Sequence, residues 1–247
     1  MCASHPQSSL PVKERKVAIV QSSYIPWKGY FDIVGMVNLF VLLDDVQYTV
    51  RDWRSRNRIK TPNGSLWLTV PCGTHRHRLI HEVRLTDHAW QREHWEKISF
   101  CYKKARFFSA YRDFFQSLYL GRTWTNLSEM NQHMIRRISH DLLGMKTEFL
   151  DSRDLRCTGR KMQRILEILD KLGGVTEYLS GPSAREYLEP DEFRNRGIKL
   201  SFMDYSGYPE YPQLYSPPFV HEVSVIDLIF NVGPEAPKYL KSFHQQQ

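Results

Sequence analysis

The sequence lacks a long hydrophobic run, and this absence argues against a helix that crosses a membrane. Such a helix needs about 20 mostly apolar residues in succession, whereas the longest apolar stretch, residues 38–43, has the length of a strand. Residues 1–11 also lack the basic start and apolar core of a signal peptide. We therefore expect no membrane partner, a cytoplasmic location, and flexible tails at residues 1–15 and 241–247.

Cysteine is scarce, and its spacing excludes the common metal and redox motifs. The cysteines lie at positions 2, 72, 101 and 157, and none forms a CxxC pair. Thiols in a large chain without a secretory signal are expected to stay reduced. Cys72 lies near His75 and His77, a pattern that also fits a cysteine nucleophile, but we expect an idle or buried thiol. No metal site is predicted, because an arginine separates these histidines.

The composition indicates a globular protein with one substantial core. The chain has 247 residues, of which 41% are hydrophobic and 25% are charged. Its formal net charge is +7, which permits an anionic partner without naming it. We see neither an internal repeat nor a low-complexity block, and we expect a single α/β domain over residues 16–240.

Short apolar segments alternate with helical patterns along most of this domain. The pattern predicts strands at 16–20, 39–43, 146–150, 176–179 and 198–203, and helices at 29–36, 127–143 and 161–172. This alternation predicts an α/β fold with a mostly parallel, three-layer, Rossmann-like sheet. Residues 65–85 read as a hairpin and residues 90–120 as two helices, which indicates an inserted subdomain over residues 65–125.

Polar residues follow each predicted strand, and this is where we expect the site. In open parallel sheets, ligands bind beyond the carboxyl ends of the strands. The corresponding segments are 21–28, 44–58, 151–160, 180–185 and 204–211. They contain most of the distinctive residues of the chain, so the sequence predicts one shared cleft.

Two adjacent acids, Asp44 and Asp45, end the second predicted strand. One of them is a candidate to orient or deprotonate an acceptor group, while the alternative is an acid that pairs with Arg51 or Arg54. The arginines at 51, 54, 56 and 58, interleaved with Trp53, suit a phosphate or carboxylate. Aromatic–arginine mixtures also bind RNA, which stays open as an alternative.

The segment from Ser180 to Ser183, followed by Arg185, is a second candidate. Its backbone and hydroxyl donors suit an anion or a developing oxyanion, and the alternative is an ordinary turn capped by Ser183. The tyrosine-rich stretch at 208–215 is equally consistent with a pocket wall or a rigid surface loop.

Several motifs occur in an order that resembles one protein family. They are QxxYxPWxGYF from Gln21, LDDVQY from Leu43, RDWRxRNRI from Arg51, WLTVP from Trp67, YLSGP from Tyr178, YPQLY from Tyr211 and VIDLIFNVGP from Val225. This order resembles the WbqC-like family over residues 16 to 235. The resemblance implies an acyl or aminoacyl (glycyl-type) transferase in surface-polysaccharide or natural-product biosynthesis. It also implies a pocket lined by Gln21, Tyr24, Trp27 and Tyr30.

A more distant resemblance concerns the nucleotidylyltransferase superfamily. Pro26 to Tyr30, between a strand and a helix, is similar to that superfamily's HxGH element, and Ser180 to Arg185 is similar to its SSTxxR element. Trp27 and Tyr30 stand where that superfamily has histidines that stabilise a triphosphate. The resemblance therefore implies a related fold with altered chemistry.

These observations lead to one hypothesis and two alternatives. We expect a transferase in which Asp44 or Asp45 and Ser180 act on a sugar or amine held by Arg51, Arg54, Arg56, Arg58, Ser183 and Arg185. No cofactor is certain; ATP or an acyl donor bound to CoA or a carrier protein would fit, as would an aminoacyl-tRNA. The alternatives are an ATP-dependent ligase or nucleotidyltransferase-like enzyme, and a non-enzymatic sugar- or tRNA-binding protein.

Overall fold

The computed structural model describes residues 14–245, and five parallel strands form its central sheet. Two further strands form a separate antiparallel hairpin. In chain order the strands are β1 (Lys16–Val20), β2 (Leu39–Leu42), β3 (Arg56–Thr61), β4 (Gly64–Thr69), β5 (Glu148–Asp151), β6 (Glu177–Ser180) and β7 (Lys199–Phe202). The predicted sheet strands are confirmed, with boundaries that shift by one or two residues.

The first five helices lie close to the segments that the sequence predicts. They are α1 (Lys28–Gly35), α2 (Ala89–Tyr102), α3 (Phe108–Leu120), α4 (Leu127–Arg137), α5 (Met162–Leu172), α6 (Pro190–Arg194), α7 (Val225–Val232) and α8 (Lys241–Gln245). The Asn126 side chain caps α4 by accepting a hydrogen bond from the Glu129 N–H. Helix α5 stops at Gly173, which has a positive φ of 59° that glycine adopts without strain.

Both faces of the sheet are covered, so the predicted three-layer α/β fold is confirmed. The strand order is β5-β2-β1-β6-β7, and every neighbouring pair is parallel. Successive residues of β2 point to opposite faces: Phe40 and Leu42 join a core that includes α1, α4 and α7, while Leu39 and Val41 join a core with α5 and α6. A strand buried on both faces reads as a continuous apolar run, as β2 does.

The hairpin predicted over residues 65–85 is wrong in its pairing. Strand β4 pairs in antiparallel orientation with β3, the strand that precedes it, from Arg56 opposite Thr69 to Thr61 opposite Gly64. Pro62 and Asn63 form the turn, and Gly64, with a φ of 116°, begins β4. Residues 80–82 form a short 3₁₀ helix instead of a strand. The division of the chain into a domain with an inserted subdomain stays a prediction.

The ends of the described chain are attached to the fold. Residues 241–245, which we expected to be a tail, form α8, and the N–H of Ser242 donates to Asp32 Oδ1 at 2.6 Å. The guanidinium of Arg15 donates to the carbonyl of Leu172 at 2.8 Å. The rest of the predicted tails, residues 1–13 and 246–247, lies outside the described residues.

The strand order reverses between β1 and β6. From β1 the chain proceeds through β2 to β5 on one side of the sheet, and then returns to place β6 and β7 on the other side. Connections leave the two neighbouring strands in opposite directions, which opens a crevice at their carboxyl ends. This crevice is the expected position of a ligand.

Candidate functional site

A cavity of about 650 Å³ occupies the crevice between β1 and β6. The loop after β1 and residues 181–183 after β6 line it, together with Trp53, Arg54, Asn57, Arg58, Tyr205 and Glu222. This volume lies within the range of small-ligand sites. Of the predicted site residues, the cavity brings together Trp27, Tyr30, Arg54, Arg58 and Ser183.

Aromatic rings form one wall of the cavity. The Trp27 ring packs edge-on against Tyr205 and Tyr208, with ring centroids 5.3 and 5.6 Å apart. Gly29 is required here, because a Cβ at that position would lie 2.2 Å from the Trp27 ring. Tyr30 is buried beside it, and its hydroxyl donates to the carbonyl of Gln21 at 3.1 Å. Burial and the nearby Asp44 raise the pKa of Tyr30, so its phenol stays protonated.

Two arginines bring positive charge to the same cavity. Arg54 donates through one terminal nitrogen to the side chain of Gln21, and Arg58 donates to Glu222 Oε2 at 2.6 Å. The Nε atoms of both guanidinium groups are buried and have no hydrogen-bond partner among the described residues. A buried donor without a partner is costly, so both guanidinium groups are incompletely paired beside the cavity that they line.

The remaining predicted arginines do not line the cavity. The guanidinium of Arg56 lies 4.3 Å from the Trp67 ring centroid, and Arg56 is absent from the lining. Arg51 is exposed in a turn with a φ of 59°, and Arg185 covers the ring of Phe202 at 4.5 Å.

Asp44 does not line the cavity either, and its carboxylate is fully buried. It accepts hydrogen bonds from the Ser22 N–H at 2.9 Å, the Ser128 hydroxyl at 2.5 Å and the Gln132 amide at 3.2 Å. These contacts join the ends of β1 and β2 to α4. The geometry makes Asp44 a structural anchor.

Asp45 points to the opposite side of the sheet, as the next residue of an extended chain does. It accepts from the Ser152 hydroxyl at 2.6 Å and forms an ion pair with Arg164 of α5. Arg164 also lines a smaller cavity of about 330 Å³ next to Gln21. Asp45 therefore faces α5 and is absent from the lining of the crevice.

Two further predicted residues have side chains that point into the interior. Ser180 is buried, and its Oγ accepts from the Tyr178 hydroxyl at 3.3 Å. The Tyr24 side chain enters the core, where its hydroxyl lies 2.8 Å from His94 Nδ1 and 2.7 Å from the Tyr119 hydroxyl. Only the backbone around these two positions approaches the crevice.

The tyrosine-rich segment reaches the cavity through a residue upstream of the predicted stretch. Tyr205 lines the cavity, whereas Tyr208 and Tyr211 donate to the buried carboxylates of Asp32 and Asp227, each at 2.5 Å. Lys28 lies behind this wall, with its Nζ 5.1 Å from the ring centroids of Tyr208 and Tyr211. Burial lowers the pKa of Lys28 to about 8.

The sequence analysis missed Asn57 and Glu222. Asn57 is buried on the inner face of β3, where it donates to the carbonyls of Tyr24 and Ile25 and holds the loop after β1. Its inward direction follows from the period-2 pattern of β3, which was a usable signal. Glu222 lies at the cavity because the Ser224 N–H donates to the carbonyl of Arg58 at 2.8 Å and holds this segment against β3. No local sequence pattern indicates this contact.

The Cys72 thiol is buried, and burial raises its pKa to about 11. His75 and His77 are exposed and contact each other, with ring centroids 6.3 Å apart. A nucleophilic cysteine needs a lowered pKa, so this environment favours the idle thiol.

Among residues 14–245, no helix is long and apolar enough to cross a membrane.

The fold and the crevice define an α/β protein with a ligand-sized cavity at its strand crossover, and sequence comparisons assign the family. The model of the WbqC-like protein family matches residues 21–239. The uncharacterized protein Rv1507c of Mycobacterium tuberculosis (strain ATCC 25618 / H37Rv) is 42% identical over 233 residues, which cover 94% of this chain and all of that protein. The search of solved structures finds no match. The chain belongs to the WbqC-like protein family.

Proposed function

We propose that this protein transfers an acyl or aminoacyl group to an amine or hydroxyl of an anionic sugar or small metabolite. The observation that carries the proposal is the cavity at the strand crossover, which two incompletely paired arginines and an aromatic wall line together. Guanidinium groups bind phosphate and carboxylate in a directional way. Family membership is consistent with the role in polysaccharide or natural-product biosynthesis that the resemblance implies.

The lining residues can be given roles in this reaction. Arg54 and Arg58 hold the anionic group of the acceptor, and the rings of Trp27 and Tyr205 cover its sugar. The acceptor nitrogen or oxygen attacks the acyl carbonyl of an ester or thioester donor, and the bond to the donor oxygen or sulfur breaks. Glu222 accepts the proton that the acceptor loses, which is the role that the sequence analysis gave to Asp44 or Asp45.

Ser183 lies on the β6 side of the same cavity. Its hydroxyl and N–H are donors for the oxyanion that forms on the acyl carbonyl. Ser183 thus takes the role that the sequence analysis divided between Ser180 and Ser183.

A specific observation favours a second candidate, an ATP-dependent ligase or nucleotidyltransferase-like enzyme. Trp27, Tyr30 and the segment 181–183 come from the two elements that resemble the nucleotidylyltransferase superfamily, and all of them line one cavity. Arg54 and Arg58 would then hold phosphates of ATP. Release of pyrophosphate that depends on ATP would distinguish this enzyme from a simple transferase.

Binding measured by calorimetry tests the proposed site. We would titrate the intact chain with nucleotide-diphosphate sugars, ATP, CoA esters and amino acids, and then search for transfer products by mass spectrometry. Loss of one charged contact predicts that Arg54→Gln and Arg58→Gln weaken the bound ligand about tenfold or more. Arg92→Gln is the control, since Arg92 is an exposed arginine of α2 that does not line the cavity.

Two results would contradict the proposal. Equal ligand affinity in Arg54→Gln, Arg58→Gln and the Arg92→Gln control would refute the anion site. Saturable binding without product from any acyl, aminoacyl or ATP-dependent donor would favour the non-enzymatic sugar- or tRNA-binding protein. Glu222→Gln separates binding from chemistry, because a general base contributes about 100-fold or more to turnover and need not change affinity.

A further inference from the structure

Two tryptophan rings lie exposed at the mouth of the cavity. Trp53 is 44% exposed and Trp67 is 41% exposed, and their ring centroids are 5.5 Å apart with planes inclined by 37°. Trp53 also lines the cavity itself. Adjacent large rings are unusual on a surface that binds nothing, so this pair points to a ligand that extends beyond the cavity.

The backbone holds both rings in place. The carbonyl of Trp53 accepts from the Tyr24 N–H at 2.9 Å, and its N–H donates to Asp52 Oδ1 at 2.7 Å. Trp67 lies in the hairpin ladder directly opposite Arg58. Rings on an anchored backbone lose little conformational entropy when they bind a ligand, so the pair is preorganised.

Positive charge accompanies the rings. The guanidinium groups of Arg56 and Arg58 lie 4.3 and 5.3 Å from the Trp67 ring centroid, and Arg58 also lines the cavity. Alternating aromatic and arginine side chains bind nucleotides, because bases stack on the rings while guanidinium groups contact the phosphates. A nucleotide combines both features at the spacing of a single ligand.

We propose that Trp53 and Trp67 form a stacking platform for the base of a nucleotide whose phosphates occupy the cavity beside Arg54 and Arg58. This inference rests on the proposed function and specifies its anionic ligand as a nucleoside phosphate. Such a group is found in a free nucleotide, in a nucleotide-linked sugar and at the end of a single-stranded RNA.

Calorimetric titration of the intact chain tests the platform with four probes: pyrophosphate, UDP, ADP and a single-stranded RNA octamer. Stacking of one base predicts that at least one of the two nucleotides binds about tenfold more tightly than pyrophosphate. In Trp67→Ala, this difference falls to about threefold or less, while pyrophosphate affinity is unchanged. Trp53→Ala also lowers the affinity for the nucleotide, but the comparison with pyrophosphate applies to Trp67→Ala, because Trp53 lines the cavity itself. Phe100→Ala is the matched control, since Phe100 is a 66% exposed ring on α2.

The outcomes separate the platform from the anion site. If UDP, ADP and pyrophosphate bind equally, the platform is refuted and the arginine site stands. If none of the four probes binds, both are refuted. A preference for UDP or for ADP that Trp67→Ala removes supports a platform for a small nucleotide. Tightest binding of the octamer, with strong salt dependence and the same loss in Trp67→Ala, supports an RNA-borne donor.

Discussion

Two halves of one sheet edge carry similar residues and differ in what surrounds them. At the β2–β5 half, the amide of Gln132 bridges the carboxylates of Asp44 and Asp151 at 3.2 and 2.7 Å. At the β1–β6 half, Arg54 and Arg58 keep unpaired Nε atoms beside a cavity of about 650 Å³. Charged residues after a strand are therefore insufficient evidence of a binding site.

The connections of the chain explain the difference. Helix α4 lies against the end of β2, where Ser128 and Gln132 donate to Asp44. Helix α5 lies on the other face, where Arg164 pairs with Asp45. Between β1 and β6 the strand order reverses, so the neighbouring connections diverge and leave a crevice. The four predictions below test this contrast, from the largest expected effect to the smallest.

Asp44→Ala should lower the free energy of unfolding by about 3 kcal/mol, because three buried donors lose a charged acceptor. For a chain of this size we expect a fall in Tm of roughly 6–12 °C. Calorimetry measures the change, with Asp154→Ala as an exposed control. A loss below about 1 kcal/mol would show that the β2–β5 half does not depend on this anchor.

Acid should destabilise the core beneath the cavity through His94, which contacts Tyr24. Burial and the charge of Lys97 lower the folded pKa of His94 to about 4, below its unfolded value of about 6.5. The unfolded chain therefore takes up this proton first, and stability falls as the pH drops from about 6.5 to 4. We expect this group to contribute about 2 kcal/mol over that window.

Urea unfolding across this pH range measures the contribution of His94. The slope of stability against pH should be smaller in His94→Gln, and the exposed His75 provides the control His75→Gln. Equal slopes in wild type and His94→Gln would contradict the buried, uncharged state of His94 and the assignment of the Tyr24 side chain to the core.

The Asp45–Arg164 pair should contribute about 1 kcal/mol to stability through its mutual interaction. Its side chains are 12% and 13% exposed, so solvent screens the pair less than it screens a surface ion pair. A double-mutant cycle with Asp45→Ala, Arg164→Ala and the double variant measures the coupling. A coupling near zero would leave Asp45 free to act in the neighbouring cavity of about 330 Å³.

Arg54→Gln should change the free energy of unfolding by less than about 0.5 kcal/mol, the smallest effect of the four. Its guanidinium is already imperfectly paired in the folded chain, and residues kept for binding contribute little to stability. Chemical unfolding measures this value beside that of Asp44→Ala. A loss of 2 kcal/mol or more would make Arg54 a structural residue like Asp44 and would erase the contrast between the two halves.

Local patterns explain why much of the fold was predictable. Apolar runs such as 16–20 and 39–43, with glycine at helix ends, indicate buried strands and helix stops wherever they occur. The hairpin prediction was wrong because the turn at Pro62-Asn63 was overlooked and residues 80–85 were read as a strand. The site was predicted in part: the cavity holds five of the residues proposed for it, while Tyr24 and Ser180 point inward.

The sequence by itself determined the parallel α/β architecture and the edge of the sheet at which to look for a site, because hydrophobic periodicity and turn residues act over a few positions. Only the tertiary structure decided which polar residues share a cavity. Asp44 and Arg54 are both polar residues after β2, yet α4 supplies hydrogen-bond donors to Asp44 while Arg54 lines the crevice. Glu222 reaches Arg58 across 164 residues of sequence, since packing of the whole chain, and no local preference, brings them together.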